Sequence, residues 1–144
     1  TVALGGQVCT SDHFCLGAAE MHLTPEGKKD PLLSVYDGHR GIHFNNDVAV
    51  VLPEDAVLLA RDPTGQIEAV RFAERAWGVQ FHPECTPEIF DAWTIGHGEK
   101  EWQQRLPWSE AVTVAETVRR DIDTVNAEEA FAARFQELID PEKR

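Results

Sequence analysis

The pattern of hydrophobic and polar positions changes its period near Thr86. Before this residue, short β-rich runs alternate with turn-forming segments, and after it the apolar positions recur at close to helical spacing. The runs occupy residues 48–52, 57–60, 66–72 and 76–81, separated by segments rich in Pro, Gly, Asp and Glu. The pattern predicts a meander of closely spaced strands followed by helices.

The last predicted strand, residues 76–81, has two different faces. Trp77, Val79 and Phe81 share one face, while Gly78 and Gln80 share the other, because successive side chains alternate across a strand. We therefore expect this strand to be partly or wholly buried.

A helix is predicted directly after this strand. Thr86 is a capping residue, Pro87 occupies the first helical position, and the pattern continues through Trp93. Gly96 and Gly98 are expected to end the helix.

Two more helices are predicted in the last third of the chain. Ser109 can cap the second helix, and residues 126–129, Asn-Ala-Glu-Glu, have the spacing of a capping box for the third. The apolar positions at helical spacing are Val114, Val118, Ile122 and Val125 in the second helix and Phe131, Phe135, Leu138 and Ile139 in the third.

Composition and charge exclude several classes of function. The 144 residues include 13 Lys and Arg against 25 Asp and Glu, a net charge of −12, with 42% hydrophobic residues. This balance is typical of one soluble globular domain, and without a basic cluster it argues against a nucleic-acid partner. The longest apolar runs fall far short of the roughly 20 residues of a membrane span, so we expect no membrane association.

The cysteines and histidines indicate neither a disulfide framework nor a metal site. The three cysteines, Cys9, Cys15 and Cys85, are scattered, and the six histidines show no metal-ligand spacing. We expect a reducing, cytoplasmic location, no bound metal and no cofactor.

The most informative residues for chemistry are His82 and Glu84. Both follow a buried-looking strand, and Pro83 between them favours an extended backbone at His82, so the two side chains can point to one side. A carboxylate that accepts the imidazole Nδ1–H leaves Nε2 free as a base, as in a nucleophilic triad. The alternative is that His82 is an ordinary polar residue and that Glu84 only begins the next helix.

The octapeptide WGVQFHPE, residues 77–84, resembles the His-Pro-Glu signature of class I glutamine amidotransferases. The segment Leu4-Gly-Gly-Gln-Val8 and residues 23–27, 30–33 and 62–63 are similar to stretches of the GMP-synthase-like members. This resemblance implies an α/β, flavodoxin-like three-layer αβα fold that is incomplete at the N-terminus. Residues 1–93 would form the C-terminal part of the amidotransferase domain, and residues 94–144 a helical extension packed on it.

The resemblance also implies a triad in which a Cys on a nucleophile elbow acts with His82 and Glu84. The family places that Cys a few residues before the Leu-Gly-Gly segment, which here begins at Leu4, so we expect it upstream of Thr1 and this chain alone to be inactive. Cys15 is an unsuitable substitute. An elbow requires an apolar strand before the Cys and a helix after it, and His13 stands where glycine is needed.

Residues 42–47, Ile-His-Phe-Asn-Asn-Asp, are similar to the family segment whose backbone binds the α-carboxylate of glutamine. Asn45 replaces the usual His of that segment. Main-chain N–H groups near Asn46 and Asp47 could still serve, since a backbone contact does not depend on side-chain identity. The alternative is that Asn45 and Asn46 form a simple turn.

The family reaction is hydrolysis of the glutamine side-chain amide, with L-glutamine as substrate and ammonia delivered to a synthetase domain or subunit. Two alternatives remain open on the sequence. One is a glutamine-binding or subunit-docking module without a nucleophile, and the other is a γ-glutamyl peptidase relative with the same triad. The ammonia acceptor is not encoded in these residues.

Overall fold

The computed structural model describes residues 1–94, 107–122 and 127–140. Within these ranges lie the strands β1 (Gln7–Glu20), β2 (His22–Leu23), β3 (Arg40–Val51), β4 (Val57–Arg61), β5 (Ile67–Ala73) and β6 (Ala76–Val79). The α-helices are α1 (Pro87–Trp93), α2 (Trp108–Asp121) and α3 (Glu128–Ile139), and short 3-10 helices occupy Val2–Leu4, Gly27–Lys29 and Leu33–Tyr36.

The strands form two antiparallel sheets. One is a ribbon of β1 and β3, and the other has the order β2-β4-β5-β6. The predicted meander is confirmed for β4, β5 and β6. Residues 48–52 were assigned to it wrongly, because residues 48–51 continue the long strand β3 beside the start of β1, with Val51 opposite Gln7, and Leu52 lies beyond the strand.

The core lies mainly on one face of the four-stranded sheet. Trp77, Val79 and Phe81 face this core, as the alternation predicted, and Phe81 packs against Tyr36 with ring centroids 4.5 Å apart. The second cluster lies between β3 and the first two helices and contains Ile42, Cys85, Phe90, Ala115, Val118 and Ile122.

Asp30 ties the loop after β2 to the sheet. Its buried carboxylate accepts hydrogen bonds from the main-chain N–H groups of Leu32 (2.9 Å) and Leu33 (3.0 Å) and from the indole Nε1 of Trp77 (3.2 Å). The Nε of Arg71 lies 3.3 Å from the same carboxylate. These contacts join the loop to both β5 and β6.

The first predicted helix is confirmed. In α1, Thr86 is the N-cap and its Oγ1 accepts a hydrogen bond from the Ile89 N–H, so the cap fixes where the chain turns after β6. The predicted end at Gly96 and Gly98 lies outside the described residues.

The second and third helices begin differently from the prediction. Pro107 rather than Ser109 is the N-cap of α2, because the helix already begins at Trp108. Ala127 is the N-cap of α3, without a side-chain hydrogen bond, and the other capping-box position, Asn126, lies outside the described residues, as does Val125.

The apolar stripe of α3 is only partly covered. Phe131 and Leu138 pack against the core, whereas Phe135 and Ile139 are 45% and 56% exposed. Among the described residues, no helix is long and apolar enough to cross a membrane.

Candidate active site

The candidate site lies where the chain leaves the end of β6. The Gln80 N–H donates to the Glu68 carbonyl of β5 (2.9 Å), and two residues later the His82 N–H donates to the Ile42 carbonyl of β3 (2.8 Å). The Cys85 N–H then donates to the His82 carbonyl (3.2 Å) and closes a turn before α1. Main-chain bonds to two different sheets therefore fix the backbone on both sides of His82.

The structure brings His82 and Glu84 together. The Nδ1 atom of His82 lies 2.8 Å from the Glu84 Oε1, with Pro83 between the two residues. The His82 side chain is 28% exposed and that of Glu84 is 57% exposed. When the Glu84 carboxylate accepts a hydrogen bond from the Nδ1–H, the lone pair of Nε2 is available, and this is the tautomer that a general base requires.

An aromatic cluster supports the imidazole of His82. The Trp93 ring at the end of α1 lies edge-on to it, with centroids 4.6 Å apart. The ring of Phe44 in β3 contacts the same tryptophan, with centroids 5.5 Å apart, and the ring of Phe14 in β1 contacts Phe44, with centroids 5.1 Å apart. Helix α1 and the ribbon thus act together to restrict the His82 ring.

The predicted substrate-binding residues Asn46 and Asp47 lie inside β3 and are exposed, so the alternative of a simple turn is wrong. The Asp47 carbonyl accepts a hydrogen bond from the Gln80 side chain (2.7 Å), which connects this segment to the strand that leads into His82. In the described ladder, the register jumps between Thr10 and Cys15, so Asn46 has no partner on β1.

A buried pair, His43 of β3 and Glu68 of β5, was missed by the sequence reasoning. The His43 Nδ1 lies 3.6 Å from the Glu68 Oε2, and the two side chains are only 6% and 3% exposed. One signal could have found it, because Glu68 is an acidic residue within an otherwise apolar run, residues 67–70.

Burial controls the ionisation of this pair. It lowers the pKa of His43 to about 4, with His82 adding to the effect and Asp62 opposing it. It raises the pKa of Glu68 to about 8, with Asp62 adding to the effect. Between these values the two groups hold one ionisable proton together, because the charged forms are poorly solvated in the interior.

The cysteines differ in their surroundings. Cys9 is exposed and Cys15 half-buried, both inside β1, so strand rather than helix follows Cys15. Cys85 is buried in the second cluster, and burial, with Glu84 and Glu128 adding to it, raises its thiol pKa to about 12. Burial, with Glu68 adding to it, also raises the pKa of Cys15. No group of three metal-ligating side chains occurs in the described ranges.

The chain is similar in sequence to known proteins. Residues 1–96 match the family model of glutamine amidotransferase class-I. The chain is 41% identical over 66 residues to GMP synthase (glutamine-hydrolyzing) of Hahella chejuensis, covering 45% of this chain and 11% of that protein. It is 36% identical over 98 residues to the protein of the same name from Marinobacter nauticus, covering 58% of this chain and 17% of that protein.

The fold is shared with solved structures. A glutamine amidotransferase from Thermotoga maritima superposes with a TM-score of 0.71 at 16% identity, over 95% of this chain and 56% of that one. A glutamine amido transferase from Methylobacillus flagellatus superposes with a TM-score of 0.69 at 20% identity, over 94% of this chain and 57% of that one. The expected flavodoxin-like α/β fold is confirmed, and the chain spans little more than half the length of these structures.

Proposed function

Because the chain belongs to the class I glutamine amidotransferase family, we propose that it carries the acid–base half of an active site that hydrolyses the side-chain amide of glutamine. The observation that carries this proposal is the 2.8 Å contact between His82 Nδ1 and Glu84 Oε1, just beyond the end of the half-buried strand β6. The contact selects the imidazole tautomer that can accept a proton at Nε2.

In the proposed reaction, His82 moves protons and Glu84 orients it. His82 takes the proton of a cysteine thiol, and the thiolate attacks the glutamine carboxamide to give a γ-glutamyl thioester. The protonated imidazole then donates its proton to the departing ammonia, and the neutral imidazole activates the water that cleaves the thioester. Glu84 holds the Nδ1–H and stabilises the imidazolium that forms between these steps.

We place the nucleophilic cysteine on polypeptide outside these 144 residues. Two observations support this. Cys85 is buried with a strongly raised pKa, and Cys9 and Cys15 lie inside a strand rather than on a strand-to-helix turn. In addition, the similar solved structures contain more chain than this one spans.

The main chain at Asn46 and Asp47 is the proposed contact for the α-carboxylate of glutamine. Both residues are exposed, and the Gln80 side chain connects Asp47 to the segment that leads from β6 into His82. Asp47 pairs with Thr10, but among the described pairings the register shift leaves Asn46 without a partner on β1, so its main chain is where an anion can meet an N–H group.

The ammonia is proposed to serve a synthetase domain or subunit in the cytoplasm. Support comes from the names of the two sequence relatives, both GMP synthases described as glutamine-hydrolyzing. The net charge of −12 is consistent with a small-molecule reaction rather than with nucleic-acid binding.

The test is the rate of ammonia release from L-glutamine by the complete polypeptide or complex in which this chain occurs. His82→Ala should lower kcat by about 10²–10⁴-fold or more, since it removes the general acid and base. His22→Ala is the matched control, because His22 is exposed on β2. Equal activity of the His82 variant and the control would overturn the proposal.

Two other outcomes would identify the alternatives. Faster cleavage of a γ-glutamyl dipeptide than of glutamine would indicate a γ-glutamyl peptidase. Saturable binding of glutamine without ammonia release would indicate a binding or docking module that lacks a nucleophile.

A further inference from the structure

Glu68 is a buried carboxyl group with no obvious structural reason for its position. Its strand neighbours Ile67, Ala69 and Val70 are all buried and apolar, as expected for the inside of a sheet. Among the described residues, its Oε2 atom and the Nε2 atom of His43 have no hydrogen-bond partner. Buried polar atoms of this kind cost free energy, so an apolar residue is the usual choice at such a strand position.

The contacts of Glu68 lead to His82 by two routes. In the first, the Glu68 carbonyl accepts the Gln80 N–H at 2.9 Å and so fixes the strand end that leads into His82. In the second, the Glu68 carboxyl contacts His43 of β3, and its Oε2 lies 3.6 Å from the His43 Nδ1.

The residues on either side of His43 both hold His82. The Ile42 carbonyl accepts the His82 N–H at 2.8 Å. The Phe44 ring contacts Trp93, which in turn lies against the His82 imidazole. A shift of β3 at His43 would therefore move both the backbone support and the aromatic support of His82.

We propose that Glu68 is a positioning residue for His82, which it holds in place through the buried contact with His43 and through its own main-chain carbonyl. This role rests on the proposed function in one respect, which is that His82 is the group that transfers protons. Glu68 itself touches no reacting atom in this scheme, and it fixes β3 relative to the strand that delivers His82.

We expect this contact to depend on the single proton that the pair holds, because the geometry places the carboxyl and the imidazole together in the interior. The titratable groups that face Glu68 are His43 on β3, Cys15 on β1 and Asp62 after β4, and His82 acts on His43 from the end of β6. Asp62 and Cys15 supply no positive charge, so loss of the proton leaves an uncompensated carboxylate in the interior. We expect this to loosen the contact between β3 and β5 at high pH.

The proposal is tested on the complete polypeptide or complex in which this chain occurs, by nitrogen–proton correlation NMR of the imidazole rings, which reports the tautomer of each histidine. The His82 signal is assigned by its loss in His82→Ala. In the wild type at neutral pH we expect one tautomer with the proton on Nδ1. Glu68→Ala should lose this single signature, and Glu68→Gln, which keeps the shape and polarity of the protonated acid, should retain it.

Glu74→Ala is the matched control, because Glu74 is exposed in the turn between β5 and β6. An unchanged His82 signature in a folded Glu68→Ala chain would overturn the proposal, even if that chain were less stable. If Glu68→Ala does not fold, wild type and Glu68→Gln are compared as the pH rises from about 7 to 9.5. The wild type should then lose the signature above about pH 8, the pKa of Glu68, while the Gln variant keeps it; identical behaviour would overturn the proposal. Neither measurement needs glutamine or a nucleophile, so failure of the proposed function would be seen separately.

Discussion

The imidazole Nδ1 of His82 lies 2.8 Å from the Oε1 of Glu84, and only Pro83 separates the two residues in the chain. The pair is therefore built from three consecutive residues at a strand exit, within the turn that the Cys85 N–H closes on the His82 carbonyl. Other parts of the chain fix the orientation of these residues. They hold this tripeptide in one orientation, through the Ile42 carbonyl on one side and Trp93 on the other.

The first prediction concerns Glu84. In the complete polypeptide, Glu84→Gln should lower kcat for glutamine hydrolysis by about 10²–10⁴-fold, because a neutral amide cannot stabilise the imidazolium that forms during proton transfer. KM for glutamine should change little, since Glu84 is not assigned to substrate binding. The measurement is steady-state ammonia release.

Glu54→Gln provides the control for this change, since Glu54 is exposed in the loop after β3. If Glu84→Gln were as active as Glu54→Gln, the carboxylate would have no role in orienting His82. A large rise in KM with unchanged kcat would instead assign Glu84 to binding.

The second prediction concerns the thiols of this chain. A pulse of iodoacetamide on the native chain should modify exposed Cys9 first and half-buried Cys15 more slowly, and it should leave Cys85 intact until the chain is unfolded in urea. Burial limits access to Cys85 and raises its thiol pKa to about 12, so little thiolate is present. Mass spectrometry of the peptides gives the order.

Rapid modification of Cys15 or Cys85 in the native chain would contradict this order. It would reveal an activated thiol and would remove the reason for placing the nucleophile on other polypeptide. A γ-electrophilic analogue of glutamine gives a second check, because it should label none of the three cysteines in this chain.

The features that could be predicted from the sequence are local ones. The pairing of His82 with Glu84 depends on residues two positions apart, and the cap of α1 depends on Thr86 and the residues just after it. Likewise, the half-buried, core-facing side of β6 follows from simple alternation. Each of these features is determined within a few residues, so periodicity and turn chemistry were sufficient.

The features that were missed depend on pairing between distant segments. Strand β1 contains small and polar residues without a clear period, and it becomes a strand because β3 lies beside it. The pair His43 and Glu68 is formed by two strands in different sheets. No local rule specifies which strand meets which, so neither feature could be derived from the chain pattern.

The third prediction concerns the buried carboxylate of Asp30. Asp30→Ala should lower the free energy of unfolding by about 3–5 kcal/mol, because the Leu32 and Leu33 N–H groups and the Trp77 indole lose their acceptor and Arg71 loses its counter-ion. Asp30→Asn should cost less, since it keeps an acceptor oxygen. Urea unfolding measures both changes.

Asp37→Ala is the control for Asp30, because the Asp37 carboxylate forms an exposed ion pair with Lys28 at 3.0 Å. Exposed ion pairs contribute about 0–1 kcal/mol, so this variant should be nearly as stable as wild type. Equal stability of Asp30→Ala and Asp37→Ala would show that the network around Asp30 is not needed for the fold.

The fourth prediction concerns the pH dependence of stability that Glu68 and His43 produce. In the folded chain the pKa of Glu68 is raised from 4.5 to about 8 and that of His43 is lowered from 6.5 to about 4. Between pH 4.5 and 6.5, the folded pair carries one proton and the unfolded pair also carries one, now on the imidazole. The two contributions therefore cancel over that range, and this pair adds no slope.

Above pH 6.5 the cancellation ends, because the unfolded pair has lost its proton while the folded pair keeps it up to about pH 8. The stabilisation from the raised pKa of Glu68 is thus lost as the pH rises, and the free energy of unfolding should fall by about 1.4 kcal/mol per pH unit over this window. Urea unfolding at several pH values measures the slope, and Glu68→Gln should remove it while the exposed control Glu74→Gln keeps it. An unchanged slope in Glu68→Gln would show that another group titrates in this window and would overturn the assignment of the slope to Glu68.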